Sequence, residues 1–115
     1  MKDMANPQAP TLSDLAFHIL LALGDGPSHG YAIGQDIEER SAGRLDPTTG
    51  ALYQALIRLA ADGLIVAVEG PGNVDARRKY FALTSQGRRA AAAEARRLDA
   101  LVRAARKRKL FPQKA

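Results

Sequence analysis

The feature that most restricts the fold of this chain is a pair of short β-prone stretches that follow three helical patterns. Residues 64–68 read LIVAV and residues 79–83 read KYFAL, with a turn rich in glycine and proline between them. Apolar, β-branched and aromatic residues bounded by such a turn predict the two strands of a hairpin. A hairpin placed directly after three helices favours a mostly α fold that carries one β-ribbon.

Three amphipathic patterns precede the hairpin, and a longer one follows it. Apolar residues at helical spacing predict helices over about 13–23, 28–40 and 46–62, and an alanine-rich helix over about 84–109. Helix two is expected to turn Tyr31, Ile33 and Ile37 toward the core. The expected N-caps are short polar residues that accept hydrogen bonds from first-turn amides, namely Ser13, Ser28, Asp46 or Thr48, and Thr84 or Ser85.

The order of these elements predicts the fold class, which is mostly α (α+β). Helices two and three, joined by a short polar turn that contains glycine, form a helix-turn-helix, and the hairpin completes a winged helix-turn-helix. The expected organisation is a flexible N-terminal arm (1–11), a winged-helix DNA-binding domain (12–84), a long C-terminal dimerisation helix (85–110) and a tail (111–115).

The charge of the chain is distributed unevenly. The 115 residues carry a net charge of +5, but residues 1–76 hold four Lys or Arg against ten Asp or Glu, and residues 77–115 hold thirteen against two. Such asymmetry indicates a polyanionic partner, for which nucleic acid and membrane surfaces are the usual examples.

Several functional classes are disfavoured by the sequence. The chain has no cysteine, which removes disulfides and thiolate metal sites. Its two histidines lie on different elements and no glycine-rich phosphate loop accompanies the acids, so no catalytic, metal or cofactor site is expected. The longest apolar run, residues 15–23, is too short to span a bilayer, and no signal peptide is recognisable. We therefore expect a soluble cytoplasmic protein that is not an enzyme and has no membrane partner.

Helix three is the expected reading element for double-stranded DNA. Gln54 can pair with an adenine edge and Arg58 with guanine or a phosphate, while the small Gly50 would permit close approach to a groove. The alternative is an ordinary solvated helix face, with Ile57 as an unusual exposed apolar residue. The candidate DNA-contacting residues of this helix are Thr48, Thr49, Gly50, Tyr53, Gln54 and Arg58.

The cationic run Arg77, Arg78 and Lys79 stands at the rim of the predicted wing. That position favours contact with backbone phosphates, although a charge run by itself is more often a solvated turn. His29 precedes helix two and could help the amides at the start of that helix to hold a phosphate, or it could be only a turn residue.

One stripe of the last helix is apolar, while its other faces carry arginines. A helix of about 25 residues is nearly 40 Å long, more than a core of this size can cover, so the stripe is expected to meet a second copy of the chain. The alternative is that it folds back on its own domain. The expected homodimer interface consists of Ala91, Ala95, Leu98, Leu101, Val102 and Ala105.

Three segments in this order resemble the PadR family of bacterial transcriptional regulators. They read HGYAIGQDIEERS, TTGALYQALIRLAADGLI and ARRKYFALTSQGRR, and the resemblance covers roughly residues 12–90. It implies a winged-helix, homodimeric DNA-binding repressor. The helix-three pattern of the family matches Gly50, Leu52 and Tyr53, and its basic wing motif matches residues 77–80. Tyr53 would then face a phosphate as well as pack.

The chain resembles the compact branch of that family, whose members end in a single helix after the wing. Some compact members bind flat aromatic compounds between the subunits through an aromatic residue of this helix, which implies a small-molecule effector. The equivalent position here is Leu98, the candidate ligand-binding residue. Because Leu98 is not aromatic, the sequence departs from the pattern on which stacking of such a compound depends.

The function expected from the sequence is that of a homodimeric, sequence-specific transcriptional regulator. It would repress from an inverted-repeat operator and be released by a small-molecule ligand. Two alternatives stay open. One is a sequence-independent nucleic-acid-binding protein led by the basic C-terminal half, which a steep salt dependence without sequence preference would favour. The other is a winged-helix module that binds a partner protein through helix three, which a stable hetero-complex without DNA binding would favour.

Overall fold

A computed structural model describes residues 12–72 and 78–112 of the chain. Within them lie α1 (Asp14–Ala22), β1 (Ser28–His29), α2 (Gly30–Arg40), α3 (Thr49–Ala61), β2 (Ile65–Val68), β3 (Tyr80–Leu83) and α4 (Ser85–Lys107). The strands form one antiparallel sheet in the order β1-β3-β2. The predicted fold class is confirmed: a helix-turn-helix is followed by a β-hairpin and a long C-terminal helix.

Hydroxyl side chains begin α1, α3 and α4. Ser13, Thr48 and Thr84 each accept a hydrogen bond from the backbone amide three residues further on, at 3.1, 3.0 and 2.9 Å. Thr48 rather than Asp46 begins α3, and Thr84 rather than Ser85 begins α4. Each cap satisfies an amide that has no partner within its own helix.

The start of α2 differs from the prediction. Ser28 is not its N-cap but lies in β1, and the cap is His29, whose Nδ1 accepts from the amide of Ala32 at 3.3 Å. Strand β1 pairs only two residues with β3, Ser28 with Phe81 and His29 with Tyr80. A strand this short shows no alternation of apolar and polar residues, so its pairing could not be predicted from the sequence.

The hydrophobic core lies where the first three helices meet the sheet. Ile33 and Ile37 of α2 are fully buried in it, as expected, but Tyr31 is 66% exposed, so its predicted place on the core side was wrong. Two residues along a helix correspond to about 200° of rotation, which puts Tyr31 and Ile33 on nearly opposite faces. The buried cluster consists of Ile19, Leu20, Leu23, Ile33, Ile37, Leu52, Leu56, Leu59, Leu64, Ile65 and Phe81.

The first turn of α4 packs tightly against the residues that lead into β2. A Cβ atom on Gly87 would collide with the carbonyl oxygen of Leu64, so glycine permits the helix to pass this close. Thr84 fixes the same junction, because its Oγ1 donates to the carbonyl of Gly63 at 2.7 Å. The N-terminal end of α4 is therefore anchored to the winged-helix domain.

Further along, α4 extends beyond the core. Ala90 and Ala91 still pack against the buried cluster, whereas Leu101 is 56% exposed and Val102 is 36% exposed. The 23 residues of the helix span about 34 Å. The helix therefore carries exposed apolar side chains along its C-terminal half.

Candidate nucleic-acid interface

One face of α3 is open to solvent along the helix. Leu52, Leu56 and Leu59 are buried on the core side. Ile57, on the outer face, is 62% exposed. The outer face carries an amide, a guanidinium, a phenol and an apolar side chain. These groups can contact base edges, phosphates and thymine methyl groups in a major groove. The exposed residues of this face include Gly50, Tyr53, Gln54, Ile57 and Arg58.

Two threonines stand at the N-terminal end of α3, and both are exposed. Thr48 uses its Oγ1 as the acceptor for the amide of Ala51, which leaves the hydroxyl hydrogen free to act as a donor. Thr49 is the first residue of the helix. The positive end of the helix dipole lies here, where an anionic group is stabilised.

His29 connects the wing to α2. It pairs with Tyr80 across the sheet, and the two rings meet edge to face with centroids 5.2 Å apart and an angle of 77° between their planes. Its Nε2 lies 2.8 Å from Nη1 of Arg78, while its Nδ1 caps α2. Burial and, secondarily, the positive charge of Arg78 hold the pKa of His29 below its ordinary value of 6.5. The imidazole is therefore neutral at neutral pH.

α2, α3 and the base of the wing meet at an open cleft of about 380 Å³, which we name the α2–wing cleft. It is lined by His29, Gly30, Tyr31, Tyr53, Arg78 and Lys79. Arg78 and Lys79 of the wing therefore lie on the same side of the domain as Tyr53 of α3. Contact of both elements with one duplex requires this arrangement.

Among the predicted site residues, the cleft brings together His29, Tyr53, Arg78 and Lys79. Gln54 and Arg58 do not line this cleft and lie further along the exposed face of α3. Arg77, the first cation of the predicted wing motif, lies outside the described residues.

Two residues of the cleft were not predicted to have a functional role. A Cβ atom on Gly30 would lie only 2.5 Å from the hydroxyl oxygen of Tyr53, so the absence of a side chain at Gly30 makes room for that phenol. Tyr31 is exposed and its hydroxyl accepts a hydrogen bond from Nε2 of Gln35 at 3.1 Å. Both residues stand in the HGY sequence at 29–31. Helical periodicity does not show that this tripeptide faces α3 and the wing.

The predicted interface stripe of α4 is covered by the core only near its N-terminal end. Ala91 packs against the core of its own domain. Leu98 and Ala105 are half-buried, and Ala95, Leu101 and Val102 are exposed.

A buried carboxylate lies on the same helix. Glu94 is 8% exposed and accepts two hydrogen bonds from Arg97, Nε to Oε1 at 3.0 Å and Nη2 to Oε2 at 2.5 Å. These bonds lower the pKa of Glu94 against the opposing effect of burial. This pair could not be predicted from the sequence, because an acidic residue on a charged helix is usually solvated.

Residues 12–72 and 78–112 contain neither a metal site nor a membrane-spanning helix. No group of three or more His, Cys, Asp and Glu residues is arranged there to hold a metal ion. None of the helices in these ranges combines the length and the apolarity needed to cross a bilayer.

The chain is similar to known regulators over most of its described length. The Transcriptional regulator PadR-like family matches residues 19–93. The transcriptional regulator Rv3488 of Mycobacterium tuberculosis is 40% identical over 86 residues, which cover 75% of this chain and 77% of that protein. The chain belongs to the PadR-like family.

Membership of the PadR-like family confirms the resemblance seen in the sequence. Members of this family are transcriptional regulators and not enzymes, so the expectation of a non-enzymatic protein is also confirmed. An uncharacterized 37.1 kDa protein in transposon Tn4556 of Streptomyces fradiae is 46% identical over 76 residues. That match covers 66% of this chain but only 20% of the transposon protein, so the chain spans about a fifth of that relative.

A solved PadR structure has the same fold. The structure of Bacillus subtilis PadR in complex with operator DNA matches with a TM-score of 0.62 at 22% sequence identity. The match covers 70% of this chain and 46% of that chain. At this identity the likeness shows the shared fold.

Proposed function

We propose that this PadR-like protein is a homodimer that binds double-stranded DNA at an inverted-repeat operator and represses transcription. The observation that carries the proposal is the α2–wing cleft, where Tyr53 of α3 stands beside Arg78 and Lys79 at the base of the wing. One duplex can touch both elements at once. The B. subtilis PadR protein, which shares this fold, has been solved with operator DNA.

The two elements have different roles in this proposal. α3 lies in the major groove, where Gly50 permits close approach and Gln54 and Arg58 reach base edges. Arg78 and Lys79, together with Thr48, Thr49, Tyr53 and His29 around the start of α3 and α2, hold the sugar-phosphate backbone. Contacts to phosphates set the position of the protein, and contacts to bases select the sequence.

The exposed apolar side chains of α4 support the proposed dimer. The winged-helix domain (12–84) would supply DNA binding and the helical segment (85–110) the subunit contact. In the proposed dimer, Leu98, Leu101 and Val102 of one copy pack against the other copy, together with Ala91, Ala95 and Ala105. Two-fold symmetry then places two copies of α3 about 34 Å apart, which matches the half-sites of an inverted repeat.

Repression and release complete the proposal. A dimer bound across a promoter excludes the polymerase from the same DNA, and such a protein acts in the cytoplasm, where bacterial DNA lies. A small-molecule effector held between the subunits beside Leu98 would change the distance between the two copies of α3. The dimer would then no longer match its operator.

The deciding experiment is a selection of bound fragments from the genome of the source organism with the purified full-length protein. We expect a recurrent inverted repeat with half-sites about one helical turn apart. A steep salt dependence with no preference for any duplex would instead identify a sequence-independent binder. Failure to bind any duplex at low salt, with a stable hetero-complex recovered from cells, would identify a protein-interaction module. A companion sedimentation measurement tests the dimer, and a monomer at micromolar concentration would contradict it.

A further inference from the structure

The two ring nitrogens of His29 both face hydrogen-bond donors. Nδ1 accepts from the backbone amide of Ala32 at 3.3 Å, which caps α2. Nε2 lies 2.8 Å from Nη1 of Arg78. The imidazole is therefore held between an amide N–H and a guanidinium N–H, neither of which can accept a hydrogen bond.

A neutral imidazole has only one acceptor nitrogen, because its other nitrogen carries the proton. Because Nδ1 accepts from the amide of Ala32, we assign the proton of neutral His29 to Nε2. Nε2–H and the guanidinium of Arg78 are then two donors that point into the same space. Such a pair cannot form a hydrogen bond between its own members, but an anionic oxygen placed beside both would accept from each.

The surroundings of this pair favour an anion. Tyr53 brings its hydroxyl group to the α2–wing cleft above Gly30, and Lys79 brings an ammonium group. None of the cleft-lining residues within the described ranges 12–72 and 78–112 is acidic. Tyr80 holds the imidazole ring edge to face, so the position of Nε2 is fixed by the sheet as well as by the cap.

We propose that Nε2–H of His29 and the guanidinium of Arg78 together clamp one phosphate group of the DNA backbone. The proposal rests on the proposed function, since it takes DNA as the source of the phosphate. The bound phosphate joins the base of the wing to the start of α2, and so adds a DNA-dependent contact to the pairing of β1 with β3. The hydroxyl of Tyr53 lines the same cleft and is a further donor for this phosphate.

The first test reads the position of the proton. Long-range nitrogen–proton NMR of the histidine rings in the free full-length protein, at about pH 7.5, distinguishes the two neutral tautomers. We expect the Nε2–H form for His29. The Nδ1–H form would mean that Nε2 accepts directly from Arg78, and it would overturn the clamp.

The second test adds inorganic phosphate, followed through the Nε2 resonance of His29. We expect a saturable shift in the wild-type protein, no shift in Arg78→Ala, and an unchanged response in Arg89→Ala. Arg89 is a suitable control because it is an exposed guanidinium of α4 that does not line the cleft. No response to phosphate in the wild-type protein, or equal responses in the two variants, would contradict the proposal.

The third test measures whether the two residues act together on DNA. His29→Asn removes the ring but keeps a side-chain oxygen that can cap α2, and it is combined with Arg78→Ala in a double-mutant cycle. Each single variant should lose about tenfold or more in affinity for the selected operator and for an unrelated duplex. The double variant should lose much less than the product of the single losses, while the two changes should be additive for the stability of the free protein.

The outcomes separate the clamp from the proposed function. If the protein selects an inverted repeat but the two losses multiply, the clamp is wrong and DNA recognition stands. The clamp would also be wrong if the double-mutant cycle gave the same coupling energy for the stability of the free protein as for DNA affinity. That result would mean that His29 and Arg78 form a hydrogen bond with each other. If inorganic phosphate is bound but no duplex is, the site takes a free phosphate, and both the DNA clamp and the proposed function fail.

Discussion

The hydroxyl oxygen of Tyr53 lies directly over Gly30, so close that a Cβ atom there would be 2.5 Å away. The first residue of α2 thereby sets the position of a side chain on α3. Because a phenol can move while a backbone cannot, a larger residue at Gly30 would displace Tyr53 and leave the helices in place.

Gly30→Ala should therefore weaken DNA binding without unfolding the domain. We expect the affinity for the selected operator to fall about tenfold, because the Tyr53 hydroxyl leaves the phosphate position. The free energy of unfolding should change by less than about 1 kcal/mol, since the gain in helix propensity offsets the displaced ring. Gly34→Ala is the matched control, because its Cβ would make an ordinary contact of 3.5 Å with Leu52. If Gly30→Ala bound the selected operator with wild-type affinity, the position of Tyr53 would not matter for DNA binding.

Gly87→Ala should destabilise the whole domain. Its Cβ would collide with the backbone carbonyl of Leu64, which cannot turn aside as a side chain can. We expect a loss of about 2 kcal/mol or more in urea unfolding, measured at a fixed protein concentration because the protein is proposed to be a dimer. Ala92→Gly, on an exposed part of α4, should lose only about 1 kcal/mol from helix propensity. Equal losses of unfolding free energy in the two variants would show that the close approach of Gly87 to Leu64 has no special role in stability.

The stability of the free protein should fall as the pH is lowered through the range in which His29 titrates. Burial and the charge of Arg78 hold the pKa of His29 below 6.5 in the folded state. The unfolded chain then binds more protons in that range, so the contribution of His29 is fully present above about pH 6.5 and decreases below it. Urea unfolding from about pH 8 to about pH 5 should show this decrease, and His29→Asn should remove it. The lowered pKa of Glu94 contributes stability that is present above the ordinary value of 4.5 and is lost at more acid pH, below the range of this measurement. An unchanged pH profile in the variant would contradict the assignment to His29.

A charge in the apolar stripe of α4 should separate the subunits. Leu101→Glu places a carboxylate on an exposed leucine of the proposed interface. We expect sedimentation to show a monomer at concentrations where the wild-type protein is a dimer, with the helical circular dichroism retained. Ala100→Glu is the control, because it is exposed and lies about 200° around the helix from Leu98 and from Val102. If both variants stay dimeric, the stripe is not the subunit contact.

Base reading and phosphate binding should respond to different substitutions. Gln54→Ala on the outer face of α3 should change the preferred operator sequence and leave binding to unrelated duplexes nearly unchanged. Lys79→Ala in the cleft should weaken binding to every duplex and reduce the slope of log affinity against log salt by about 1. The check is a salt titration of both variants on the selected operator and on a scrambled duplex. Identical behaviour of the two variants would refute the separate roles.

Much of the local structure was determined by the sequence alone. Ser13 caps α1 as expected, and Thr48 and Thr84, each one of two expected candidates, cap α3 and α4. An N-cap could be predicted because it depends on a side chain and an amide only three residues apart. The burial of the α3 leucines and the β2–β3 hairpin could likewise be predicted from the sequence. Helical spacing and a glycine-rich turn are patterns that extend over only a few residues. The concentration of positive charge in the C-terminal part of the chain could be established by counting charged residues alone.

The tertiary structure decided how these elements meet. His29 is 49 residues from Arg78 in the chain, and only strand pairing places the two side chains together. The same strand pairing places Ser28 in β1, and His29 caps α2 in its stead. The rotation of that helix turns Tyr31 out to solvent. Gly30 beneath Tyr53 and Gly87 beside Leu64 have no local signal either. Each depends on the distance between two backbones that are remote in sequence, and that distance is set when the core packs.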